Sequence, residues 1–248
     1  MIGAGIAAFA QNERHRPTMP PSITSTIASL ERAFGPFEPY HGFASAKVDA
    51  AARRLGRTLP RALRTLYERT GRHPFHTAEN RLVAPDELAF DGDHLVIYEE
   101  NQNVCSWAIA ASALAGDDPP VDVSVMTDRG IDYVPEFRSI SDFLAAQAAQ
   151  QAVATLPWSG LILEPQEIAG RGIVEPRRRI SREEGAAIGE LFSTSEHTDV
   201  RICDGAISMV SSSGHFTLAA REESVFRAMC ESLGITDDDW DYLSPRDA

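Results

Sequence analysis

Three groupings in the chain hold residue types that could do chemistry. Ser211-Ser212-Ser213-Gly214-His215 sets hydroxyls beside an imidazole, with Asp204 upstream. A serine nucleophile needs its base within hydrogen-bond reach and an acid to orient that base. A tight turn between two strands accounts for the same run without catalysis. His73 and His76, with Glu79 after them, offer imidazoles and a carboxylate. A metal needs three or four convergent ligands, and Pro74 between the histidines breaks regular helical facing. Glu99-Glu100 resembles an acid–base pair, but neighbours on a strand point to opposite faces and would not share one site. There is no G-x-x-x-x-G-K-[ST] loop, G-x-S-x-G elbow or H-E-x-x-H helix. Gly3-Ala4-Gly5 is too short for a dinucleotide fingerprint. Cys105, Cys203 and Cys230 form no C-x-x-C pair, which argues against a zinc site or a disulfide framework and for a reducing interior. The chain therefore reads as a non-enzyme without cofactor or metal.

These residues must be held by an ordered scaffold, whose centre is His94 to Ile109. Two β-favouring runs, Leu95 to Tyr98 and Val104 to Ile109, flank the polar segment Glu99 to Asn103, so a β-hairpin with a polar tip is predicted. Trp107 sits among apolar neighbours and reads as core. Before the hairpin come three helices. The first is capped by Ser22, carries Ile23, Ile27, Leu30 and Phe34, and is stopped by Gly35-Pro36. The second follows Ser45 with Val48, Ala51, Ala52 and Leu55 inward and ends at Gly56. In the third, Pro60 opens at the first helical position, Leu63, Leu66 and Tyr67 face inward, and Gly71 closes. Its arginines Arg61, Arg64 and Arg69 read as a solvated face. Arg81 to Pro85 reads as a short strand and Pro85 to Leu88 as a helical turn.

After the hairpin, Gly116 to Pro120 is a rigid acidic corner, and Val121 to Val125 alternates as a half-buried strand. Ile131 to Pro135 adds another. Ser139 caps a helix to about Thr155 with one inward stripe of Ile140, Phe143, Leu144 and Ala148. Residues 156–248 read as a smaller extension. Pro157 to Ile180 looks irregular, with Arg177-Arg178-Arg179 in an exposed loop. Ser181 and Glu184 form a capping box for a helix through Leu191-Phe192. Three strands follow, Val200 to Cys203, Ala206 to Val210 and His215 to Ala219, with a turn at Asp204-Gly205. A helix from Glu222 to Leu233 ends the pattern. Residues 1–21, with Pro17, Pro20 and Pro21, read as a disordered tail, and Met19 offers an alternative start.

The formal net charge is −13. Such a surface repels phosphate backbones, which argues against nucleic-acid binding, and it attracts basic partners. No apolar run approaches the ~20 residues of a membrane span, so no membrane partner is expected, and a cytoplasmic location is.

The helical segment Arg53-Arg54-Leu55-Gly56-Arg57-Thr58-Leu59-Pro60, followed by Leu63, Tyr67 and Gly71, resembles the opening of the SMI1/KNR4 (SUKH) superfamily. Tyr98 to Val104 and Trp107-Ala108-Ile109 are similar to its central strands. Asp118-Pro119-Pro120-Val121 resembles its proline corner, and Ser139 to Leu144 its closing helix. The likeness spans residues 45 to 155. Where the family often carries a glutamate before the Arg-Arg-Leu-Gly segment, this chain has Ala52. The resemblance implies an α+β fold, a mixed or antiparallel sheet flanked by helices over residues 22–155, with the C-terminal β-β-β-α extension beyond. It also implies an immunity protein that neutralises a bacterial toxin, of nuclease or deaminase type, by occlusion. The expected contact residues are Asp91, Asp93, Glu99, Glu100, Asp117 and Asp118, which fall at turns beside the sheet. Two rival readings remain: a regulatory or scaffold module of the same superfamily, and an enzyme built on Ser211 to His215 and Asp204.

Overall fold

The computed structural model describes residues 22–128, 130–163, 166–168, 172–174, 190–194, 198–211 and 215–245. The expected tail (1–21), the Arg177–Arg179 run, the Ser181/Glu184 capping box and Ser212 to Gly214 lie outside the described residues.

The protein is an α+β fold built from helices and two large antiparallel sheets. Helix α1 (Ile23–Phe34) starts on Ser22, whose hydroxyl accepts from the Ser25 amide at 3.3 Å. Helix α2 (Ser45–Leu55) ends on Gly56 in the left-handed conformation at φ 62°, where a side chain would be strained. Helix α3 (Arg61–Thr70) starts one residue later than the sequence suggested, with Pro60 as its cap. The inward stripes of all three are the expected ones, and Leu30, Val48, Leu63, Leu66 and Tyr67 are fully buried. The Tyr67 hydroxyl donates to the Val83 carbonyl at 2.7 Å, and burial pushes its pKa up.

The first sheet is formed by β1 (Arg81–Leu82), β2 (Ala89–Asp91), β3 (His94–Glu99), β4 (Ser106–Ala110), β5 (Val121–Thr127) and β6 (Gly130–Phe137). The order is β1-β3-β4-β5-β6, with β2 on the same edge of β3 as β1. The predicted hairpin is β3–β4, in the middle of the sheet, with a bulge between Val96 and Tyr98. Strand β2 was not foreseen, since three residues are too few to show an alternation.

Helix α4 (Ile140–Thr155) corrects the single-stripe expectation: twelve of its sixteen residues are buried. Phe143 packs on one side against Tyr98, Trp107 and Phe137 of the first sheet, with ring centroids at 5.4, 6.0 and 5.5 Å. The helix also lies against the second sheet, which its many alanines allow to approach closely. Its buried amides are satisfied: Gln151 donates to the Asn80 carbonyl at 3.0 Å and accepts from the Glu79 amide at 2.8 Å. The only charged side chain in the helix is Asp142, which is the mark of a helix enclosed all round.

The second sheet runs β10-β11-β12-β13-β7-β14, from β10 (Glu190–Thr194), β11 (Thr198–Cys203), β12 (Ala206–Ser211), β13 (Phe216–Ala220), β7 (Trp158–Ile162) and β14 (Tyr242–Pro245). A separate pair is formed by β8 (Gln166–Ile168) and β9 (Gly172–Val174). The three expected strands are present, and Gly205 turns between two of them at φ 83°. Leu191-Phe192 lies in strand β10, not in a helix, and the segment after Pro157 contains β7, β8 and β9. Strand β7 escaped detection because Gly160 interrupts its alternation. That glycine is required: a Cβ there would sit 2.5 Å from the Trp240 ring. Helix α5 (Glu223–Ser232) covers the outer face, where Phe226 and Trp240 close a second core with Phe216. Val200, Ile202, Ile207 and Met209, by contrast, join the main core around α1 and α4.

Candidate functional site

An antiparallel sheet can leave one face in water, and that face is then normally polar. The first sheet turns one face to α4. The strand alternation places His94, Val96, Ser106, Asp122, Ser124, Met126, Ile131 and Tyr133 on the other. Polar residues dominate there, but Met126 is 75% exposed, Ile131 55%, and Val104 at the hairpin tip 68%. Single exposed apolar residues are ordinary, whereas a group of them marks a contact surface. These three line one shallow groove of about 190 Å³ together with Val96, Tyr133, Asp91 and Glu99.

Polar contacts hold the groove's walls. The Tyr133 hydroxyl donates to Asp91 Oδ2 at 3.0 Å, and its ring stacks on His94 at 4.1 Å. Burial first, then the Asp91 carboxylate, pushes the Tyr133 pKa up, so the phenol remains a donor. His94 Nδ1 is 2.7 Å from Asp93 and Nε2 is 3.3 Å from Asp122. Ser124 Oγ accepts from the Ser106 amide at 2.7 Å, tying β5 to β4. At the far end Glu99 accepts from Arg81 Nη2 at 2.5 Å. Glu100 closes the tip, accepting from the amides of Gln102 at 2.7 Å and Val104 at 3.3 Å. That bonding fixes where Val104 stands.

Of the six acids named from the sequence, the structure brings Asp91 and Glu99 to one groove; Asp93 pairs with His94 and Glu100 caps the hairpin tip, and neither lines the groove. Asp117 and Asp118 lie on the helical side instead. Asp117 lines a separate cavity with Arg61, Arg64 and Thr65, and its carbonyl accepts from the Ala62 amide at 2.8 Å. Asp118 is half-buried and accepts from the Ser141 amide at 3.2 Å and from its hydroxyl, anchoring the start of α4. Burial pushes its pKa up against those hydrogen bonds.

Of the residues named for catalysis, Ser212 to Gly214 lie outside the described residues. Asp204 is ion-paired with Arg32 at 2.8 Å. His76 is buried with Nε2 3.2 Å from Thr70 Oγ1, and His73 packs between Phe37 and Phe75. Among the described residues no group of three or more His, Cys, Asp or Glu is placed to hold a metal. Cys105, beside the groove, has its thiol pKa pushed up by burial, then by Glu100 and Glu136, the reverse of what a nucleophile needs.

Sequence reasoning named the acids but not Met126, Ile131 and Tyr133. The signal was present: extending the alternation beyond Val125 puts Met126 on the polar face. Among the described residues no helix is long and apolar enough to cross a membrane. No family model matches the chain, and neither a curated protein nor a solved structure matches it.

Proposed function

We propose that this protein is an immunity protein of SMI1/KNR4 type, acting in the cytoplasm, which binds a basic bacterial toxin and blocks its working surface. The carrying observation is the exposed apolar trio Val104 at the hairpin tip and Met126 and Ile131 on the open sheet face, lining one groove with Asp91 and Glu99, in a chain of net charge −13. Apolar area supplies affinity, and the carboxylates speed encounter with a positive partner and reject negative ones. A stable interface buries about 800 Å² on each partner, so the hairpin tip and the β5–β6 face must both take part.

The test is co-expression with the polypeptide encoded beside this chain. Rescue of growth, with a purified complex whose association rate falls after Asp91→Lys and Asp93→Lys and loses its salt dependence, supports the reading. A neighbour that is harmless alone, or a rate indifferent to both reversals, contradicts it and favours a regulatory module.

A further inference from the structure

Strand β6 ends the first sheet, and among the described residues it pairs only with β5. Which of its backbone groups are free follows from Pro135, which lies opposite Asp122. Proline has no N–H, so it donates nothing to β5. Antiparallel pairs alternate between hydrogen-bonded and non-hydrogen-bonded positions. The register from Asp122–Pro135 to Met126–Ile131 is unbroken. Val134 and Asp132 therefore exchange bonds with β5, while Ile131 and Tyr133 direct N–H and C=O to the open side. Such an edge is a template for another strand.

We infer that β6 receives an extended, lysine- or arginine-bearing segment of the partner as an added strand, between Ile131 and Tyr133. The inference rests on the reading of this face as a partner surface. Its occupant is set by side chains and charge. Ile131 and Met126 offer apolar contact on one face of the edge and Val134, 39% exposed, on the other. Asp128 and Asp132 are exposed beside it. A second copy pairing antiparallel here would bring acid against acid, which is unfavourable. A basic strand meets opposite charge, with main-chain bonds giving affinity and alternate side chains giving choice. Pro135 limits the pairing to the first part of the strand.

The probe is a nine-residue capped peptide of alternating valine and lysine, with a valine–glutamate peptide as control, followed by amide hydrogen exchange in NMR. Saturation with the lysine peptide should slow exchange at Ile131 and Tyr133 at least tenfold and leave Asp132 and Val134 unchanged. Ile131→Pro, which removes one outward N–H, should weaken peptide binding at least tenfold beyond Ile131→Ala. Unchanged exchange at Ile131 and Tyr133, equal loss in the two variants, equal binding of the glutamate peptide, or a free chain that sediments as a dimer through β6 would overturn the inference. A toxin complex sensitive to Met126 yet indifferent to Ile131→Pro removes the added strand and keeps the partner face. Indifference to Met126, Asp91 and Asp93 together removes both.

Discussion

Replacing Met126 and Ile131 together by threonine separates a contact role from a folding role. Threonine keeps the β-branched preference of a strand, so the ladder is undisturbed. Met126 is 75% exposed and Ile131 55%. Fully burying a side chain of this size is worth about 1.5–3 kcal/mol. Scaled by the fraction each still exposes, and allowing for the methyl that threonine retains, a partner covering both gains about 2–3 kcal/mol from them. That corresponds to a Kd raised about 30- to 150-fold, expressed in the dissociation rate. Stability should move by no more than about 0.5 kcal/mol, because neither side chain enters a core. Calorimetric melting and surface plasmon resonance against the proposed partner read the two quantities independently. A melting temperature lowered by many degrees, or a Kd within threefold of the parent, would rule out a contact role for these two side chains.

Three further outcomes are expected. Gly160→Ala drives a methyl into the Trp240 ring and should cost about 1–3 kcal/mol, read as a lower urea midpoint with the partner affinity kept once folded. Asp118→Ala frees the Ser141 amide at the start of α4 and should cost about 1 kcal/mol without weakening the complex, because Asp118 lies on the helical side. Acid should destabilise the protein through its buried histidines. Burial, then the neighbouring His73, holds His76 at about 3, and burial, then His41, holds His73 at about 4. Both lie below the unfolded value near 6.5, so their stabilisation is complete above that pH and is lost as pH falls toward the folded values. At pH 5 the His76 contribution is reduced by about 2 kcal/mol, so the acid limb of a urea-midpoint series should flatten in His76→Asn, and an unchanged limb would count against the assignment.

The helices before the hairpin were legible because each carries its own punctuation: Ser22, Gly35, Gly56, Pro60 and Gly71 sit at or beside the ends that the structure shows. The hairpin was legible because two β-rich runs enclose a polar tip. Helix α4 shows no single stripe because it is enclosed on both sides, and that enclosure depends on the second sheet, remote in the sequence. Strand β7 was lost to Gly160, whose reason is Trp240, far along the chain. The candidate site was half legible. Acids at turns announce themselves by type, yet only the register showed that Asp91 and Glu99 share a groove and that Asp118 serves α4. Met126 and Ile131 look like ordinary strand residues until the sheet shows which face is left open.

An amide-exchange footprint of this chain bound to the polypeptide encoded beside it, the proposed toxin, tests the role of the open sheet face most directly. Protection confined to the hairpin tip, β5 and β6, with the second sheet and α5 unchanged, is the predicted result. Protection on the second sheet or α5, with the open face still exchanging freely, would contradict it.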